Sequence, residues 1–227
     1  MGNKKKLITG LISLLAFVVV LVIIFSPVFG GKNGLEFLDN LYNGISKGSA
    51  YYIPDTRAKV GHFDGTTVNV TLKMAGTEQA SQTALLFTKG GATAQLSGAE
   101  IRVSGDLGKI LENCLDDANN MYFNDGTKVS GKYGYGERQV MFNWWNALKA
   151  VDKDLGRQKH FNEAKIVSTV QEKAVEPSYN YYTIEPEKIS DRLSVVIFSL
   201  IFYVAYTLWY GFAILDLFEG WGLKLEH

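Results

Sequence analysis

The run Leu193–Leu215, LSVVIFSLIFYVAYTLWYGFAIL, carries no charged side chain from end to end. At the α-helical rise of about 1.5 Å per residue it spans about 34 Å, enough to cross a hydrocarbon core of about 30 Å with some tilt. It is too long and too uniformly apolar for an ordinary core helix. Asp191 and Arg192 bound it on one side, Asp216 and Glu219 on the other. Tyr203, Tyr206, Trp209, Tyr210 and Phe212 crowd its second half, with Trp221 just beyond. Trp and Tyr rings favour the headgroup level, where one end stays apolar and the other wet.

A second apolar run, Leu7–Phe25, follows Lys4-Lys5-Lys6. It exceeds the roughly 7–15 residues of a signal-peptide core, and Ser26-Pro27-Val28-Phe29-Gly30-Gly31 offers no A-x-A cleavage site, so we read an uncleaved anchor. Gly2 opens no myristoylation motif, because Lys6 stands where Ser or Thr is required. The three lysines put the N-terminus in the cytoplasm, and a second span returns the C-terminus to the same side. The expected plan is a cytoplasmic N-terminus (1–6), a first transmembrane helix (7–29), an extracytoplasmic domain (30–190), a second transmembrane helix (191–217) and a short cytoplasmic tail (218–227). The closing Lys224-Leu225-Glu226-His227 reads equally as a native end or as the start of a tag scar.

Lysine plus arginine balance aspartate plus glutamate at 23 each. Without a clustered basic excess there is no electrostatic case for nucleic acid. The single cysteine, Cys114, cannot close an intramolecular disulfide, so an exported domain must hold by burial. That absence leans the expected location toward a bacterial inner membrane with the central domain in the periplasm. No CxxC, CxxCH or H-E-x-x-H spacing exists, and His62 and His160 stand apart. We therefore expect neither a metal nor another cofactor.

Between the spans, Leu35, Leu38, Leu41, Tyr42 and Ile45 fall on one face of a predicted helix over 34–46. Gly44, Gly48 and Ile53-Pro54-Asp55 then break regular structure. Thr66–Met74 alternates apolar and polar residues as a half-buried strand does. Its Asn69-Val70-Thr71 matches a glycosylation acceptor, but a strand interior is a poor site for one. Gln82–Lys89 reads as a second strand, Gly90-Gly91 as a hairpin turn, Ala92–Leu96 as the returning strand, and Gly98 as a bulge before Ile101 and Val103. Next comes an amphipathic helix capped by Ser104 or Asp106, with Leu107, Ile110, Leu111, Cys114, Leu115, Ala118, Met121 and Tyr122 on its stripe, ended by Asp125-Gly126. A second helix covers Glu137–Leu155. A third covers Phe161–Ala174, stops at Glu176-Pro177, and leads into an extended Ser178–Tyr182. The expected class is an α+β exported domain, an antiparallel β-meander packed with helices, flanked by two transmembrane α-helices.

Candidate sites are few. Gly131-Lys132-Tyr133-Gly134-Tyr135-Gly136 is neither a Walker loop nor a dinucleotide fingerprint. It is an ordinary turn or a lid that presents Tyr133 and Tyr135. Trp144, Trp145, Tyr179, Tyr181 and Tyr182 add an aromatic surplus suited to a partner or ligand surface. Adjacent Trp144 and Trp145 cannot share one narrow helical stripe. Cys114 reads as a buried, inert hydrophobe, and Asp116-Asp117 as a solvated helix face. Gly10, Ser13, Ala16, Ser199, Ala205 and Gly211 permit close helix packing, without a GxxxG motif. Asp216 and Glu219 sit where a span end reaches water.

These features point away from an enzyme and toward a non-catalytic integral membrane subunit. Its extracytoplasmic domain would bind a partner protein or ligand within a membrane complex. The alternatives are a ligand sensor signalling through its spans, and an oligomeric channel or transporter subunit. Expected partners are the lipid bilayer and either other membrane subunits or further copies of this chain, with no nucleic acid.

Overall fold

A computed structural model describes residues 3–223. Gly2 and the tail Lys224-Leu225-Glu226-His227 lie outside the described residues. The chain forms two units. One joins the residues up to Ile45 with those from Glu187 onward; the other is Ser46–Pro186.

The first unit is built on two helices long and apolar enough to cross a membrane, α1 (Lys4–Phe25) and, at the far end of the chain, Ile189–Trp221. Asn3 caps α1 by accepting from the Lys5 and Lys6 amides. Helix α2 (Gly34–Ser49) opens with a reciprocal capping box: Asn33 Oδ1 accepts from the Glu36 amide at 2.9 Å, and Glu36 accepts from the Asn33 amide at 3.2 Å. Its last four residues belong to the other unit.

The two long helices pack directly on each other. A Cβ on Gly10 would lie 2.8 Å from the Leu217 amide nitrogen, and one on Gly220 would lie 2.6 Å from the Leu7 Cα. Close approach at small residues and interhelical hydrogen bonds hold the pair together. Trp209 Nε1 donates to Ser13 Oγ at 2.8 Å, and Phe17 stacks on Tyr206 with ring centroids 4.2 Å apart. Lys6 pairs with Glu219 at one end. Ile8, Ile12, Val19, Phe198, Ile201 and Phe212 remain exposed on the outer faces.

In the second unit the elements run α3 (Ile53–Val60), β1 (Thr67–Lys73), α4 (Thr77–Lys89), β2 (Thr93–Ser97), β3 (Glu100–Asp106), α5 (Leu107–Tyr122), α6 (Gly126–Tyr133), α7 (Glu137–Arg157), α8 (Phe161–Val170), a π-turn at Gln171–Val175 and α9 (Glu176–Asn180). The helix Ile189–Trp221 completes the order as α10. The unit is mostly helical, with one small sheet rather than a meander of hairpins. The sheet order is β1-β3-β2, every neighbour antiparallel. Val68, Val70 and Leu72 of β1 and Ile101 and Val103 of β3 point into the core. The opposite face carries Asn69, Thr71, Arg102 and Ser104.

The strand predicted over Gln82–Lys89 is instead the second half of α4. Leu86 and Phe87 are both buried while Leu85 is 42 % exposed. Two adjacent buried residues violate the period of two, whereas Ala80, Thr83, Ala84 and Phe87 share one helical face. Gly90-Gly91 is accordingly not a hairpin but a helix terminus. Gly91 sits at φ +80°, its amide donates to the Thr88 carbonyl and the Ala92 amide to the Phe87 carbonyl, which is the Schellman pattern. Gly98 is not a bulge. It occupies the two-residue turn between β2 and β3 at φ +61°, with Ser97 opposite Glu100.

Ile53-Pro54-Asp55 opens α3 rather than breaking structure, since proline is tolerated in a first turn. Pro177 does the same for α9, so Ser178–Tyr182 is helix and turn, not extended. The predicted strand over Thr66–Met74 and helices over 107–122, 137–155 and 161–174 all form. Asp106 caps α5 through the Lys109 amide, and Asn124 at φ +61° ends it. Asp125-Gly126 begins α6 instead.

The outer edge of β1 is covered by α7: Asp154 accepts from the Thr71 amide at 3.0 Å, and Gln158 donates to the Asn69 carbonyl at 2.9 Å. The two ends of the unit are tied by fully buried Lys47, whose ammonium donates to Asn124 Oδ1 and the Ile184 carbonyl while the Tyr122 hydroxyl donates to its carbonyl.

Close packing of α1 on α10 gives the first prediction. Gly10→Leu and Gly220→Leu force a side chain into the facing backbone, and each lowers the melting temperature of the detergent-solubilised protein by roughly 5 °C. Gly211→Leu, at a position open on every side, leaves it unchanged. Differential scanning fluorimetry of the three variants reads this directly.

Candidate functional site

Two polar centres sit inside the helical layer of the second unit. Both were only partly visible in the sequence. The first is the Asp117 carboxylate. Far from being solvated, Asp117 is completely buried. It accepts from the Tyr133 hydroxyl at 2.5 Å, from Trp144 Nε1 at 2.9 Å and from Lys132 Nζ at 2.7 Å. A buried carboxylate is tolerable only with donors of this kind around it. Asn113 extends the network: its amide donates to the Leu86 carbonyl and Tyr133 Oη, both at 3.0 Å, and its oxygen accepts from Lys132. Asp117 lies three residues after Cys114 and four before Met121, so its place on the buried stripe of α5 was there to be read. Cys114 is fully buried beside it. Burial, and then the Asp117 charge, push its thiol well above the ordinary value, which makes it an inert core side chain.

The second centre is Asn143, also fully buried. Its oxygen accepts from Gln79 Nε2 at 3.2 Å and Gln139 Nε2 at 2.9 Å. Its nitrogen donates to Gln82 Oε1 at 3.0 Å and Tyr135 Oη at 3.5 Å. All four hydrogen-bonding positions of the carboxamide are thus in use. Asn143 follows Val140 by three and precedes Ala147 by four, so the α7 stripe is interrupted by an amide at its centre. That interruption was the available signal, and the aromatic reading passed over it along with Gln79, Gln82 and Gln139.

The Gly131–Gly136 segment links the two centres. It is not a flexible lid. Gly131–Tyr133 close α6, Gly134 takes φ +78° with its amide bonded to the Ser130 carbonyl, and Tyr135-Gly136 lead directly into α7. Tyr133 is held down on Asp117. Tyr135 stands two residues on, its hydroxyl donating to the Gln82 carbonyl at 3.2 Å and its ring 6.1 Å from that of Tyr133. Burial pushes the Tyr135 phenol up to about 12 and the Tyr133 phenol, also beside Asp117, higher still.

Above Asn143 lies a pocket of about 400 Å³, lined by Glu78, Gln79, Gln82, Tyr135, Gly136 and Gln139. This is the candidate site.

The other aromatic candidates do not join it. Trp144 is core, edge-on to Phe87 at 5.8 Å. Trp145, half-buried, donates to Glu176 at 2.9 Å and lies under Lys149. Tyr179 packs against the core, Tyr182 lies under Arg138, and Tyr181 is a half-buried residue of the turn after α9. Among the described residues no cluster of three or more His, Cys, Asp or Glu side chains could hold a metal ion. No protein-family model, curated protein or solved structure matches this chain.

Two outcomes test this geometry. Asp117→Ala strands the buried Tyr133 hydroxyl and Trp144 indole, and it costs about 3 kcal/mol in a urea titration of the full chain. Alkaline pH should also destabilise the fold. Unfolded tyrosines lose their protons near 10, while folded Tyr133 and Tyr135 keep theirs, so unfolding releases protons and stability falls as pH rises from 10 toward 12. Lys47, whose ammonium is disfavoured by burial, acts oppositely and only below about 10.5. Denaturation curves at pH 9, 10, 11 and 12 check the sign.

Proposed function

We propose that this protein is a non-catalytic membrane subunit, anchored by α1 and α10, whose Ser46–Pro186 unit is a recognition domain facing away from the cytoplasm. The observation that carries the reading is the pairing of α1 with α10. The two helices bury glycines against each other and leave an apolar outer surface that water would not tolerate but lipid would. Lys6 and Glu219, at the ends of their spans, meet where both reach water, and Lys4-Lys5-Lys6 in the first turn of α1 favour the cytoplasmic side for that end.

The recognition role is supported by how the second unit spends its polar groups. Its buried charges are consumed by structure: Asp117 by three donors, Lys47 by Asn124 and the Ile184 carbonyl. Neither is left as a free acid, base or nucleophile. What the unit presents instead is a set of ordered, neutral polar groups around Asn143. Such groups bind; they do not move protons or electron pairs.

The test is extraction. Alkaline carbonate should leave the protein in the membrane pellet, and gentle detergent should release it with a stoichiometric companion that native mass spectrometry resolves. Release into the carbonate supernatant would overturn the membrane anchor. A lone homo-oligomer would overturn the subunit reading and favour a self-contained pore or sensor.

A further inference from the structure

We infer that the pocket over Asn143 binds a neutral carbohydrate, one or two sugar rings in size. The inference goes beyond the membrane reading and does not depend on a companion protein. It rests on what the network leaves unused. Asn143 has no capacity to spare, but the glutamines it organises do. Gln139 commits one N–H to Asn143, and its oxygen and second N–H have no partner among the described residues. The Gln82 oxygen accepts from Asn143, and its NH₂ donates to no described group. Gln79 keeps one N–H. Around one small volume there are therefore spare donors and spare acceptors, already ordered by a buried amide. That order removes much of the entropy cost a ligand would otherwise meet.

The match to sugar is chemical. A sugar hydroxyl both donates and accepts, and so does a carboxamide. An anion would meet Glu78 on the wall. A cation would find only that one carboxylate. A peptide in extended conformation needs a strand edge or a long groove, whereas this pocket is one helical turn of α4 (Glu78–Gln82) facing one turn at the start of α7 (Tyr135–Gln139). The half-buried Tyr135 ring supplies the apolar wall against which the C–H face of a sugar ring can rest. The volume of about 400 Å³ lies at the small end of ligand pockets.

The test uses the full chain in a detergent without a sugar headgroup, since glucoside and maltoside detergents would compete for the site. Saturation-transfer difference NMR is run with maltose, cellobiose, lactose and the N-acetylglucosamine disaccharide as probes. Expected is transfer to the ring protons of at least one probe and a saturable rise in melting temperature with that probe. Gln139→Leu, at an exposed position, and Gln82→Leu should each weaken binding about tenfold, while circular dichroism checks that each variant keeps its fold. Gln95→Leu on the far face of the sheet should not. Absence of transfer from all four probes overturns the proposal, as does transfer that Gln139→Leu and Gln82→Leu leave unchanged. Binding of diglycine in place of any sugar also overturns it, in favour of a peptide site. None of these results bears on carbonate extraction, so the two readings fail separately.

Discussion

A single buried carboxylate organises the helical layer. Asp117 on α5 collects the last two residues of α6 and the central tryptophan of α7. Desolvating a carboxylate costs several kcal/mol, and only a complete set of donors offsets it. The geometry is therefore close to all-or-none: α6 must end where Lys132 and Tyr133 both reach Asp117. That end point fixes Gly134 in its left-handed turn, which delivers Tyr135 and Gly136 to the start of α7. Further along α7, Asn143 repeats the device with neutral groups, and its partners Gln79, Gln82, Tyr135 and Gln139 line the pocket.

The two units solve the packing problem with different physics. The globular unit buries apolar side chains of α4, α5 and α7 against the sheet and of its other helices against one another, and its free energy comes mainly from water. The α1–α10 pair leaves most of its apolar side chains exposed and makes little use of that source. It relies on glycines that let backbones meet, on a Trp209–Ser13 hydrogen bond, and on the ring stack of Phe17 with Tyr206. Lys47 closes the base of the globular unit by joining its first and last segments through Asn124 and Ile184.

Long periodic elements were legible in the sequence: both apolar helices, β1 with its clean alternation, and α5 and α7 with their stripes, while α8 was read from its recurring lysines and glutamates rather than from a stripe. Short elements misled. A window confined to Gln82–Lys89 hides Ala80, the residue that establishes the helical period. Gly90-Gly91 read as a hairpin turn and Gly98 as a bulge, but a glycine's positive φ serves a helix terminus, a hairpin turn and a bulge equally well, and local sequence does not choose between them. Of the aromatic candidates, Tyr135 is the one that lines the pocket. Attention to aromatics favoured residues that proved to be core, such as Trp144. The informative anomalies were polar: Asp117, Asn143 and Lys47 each sit on a buried face. A polar residue where the pattern demands an apolar one signals a partner elsewhere in the fold. Those partners range from Gln139, 4 residues from Asn143, to Ile184, 137 residues from Lys47, and most lie beyond the reach of a local reading.

The proposed membrane topology is most directly tested by thiol labelling in intact cells. The native Cys114 is buried and its thiolate disfavoured, so background labelling is low. A membrane-impermeant maleimide should label Ser97→Cys, at the exposed end of β2, without lysis. It should label Leu223→Cys, after α10, only once the cells are broken. Labelling of both positions from the same side would contradict two spans that place the globular unit and the chain end on opposite faces of the membrane.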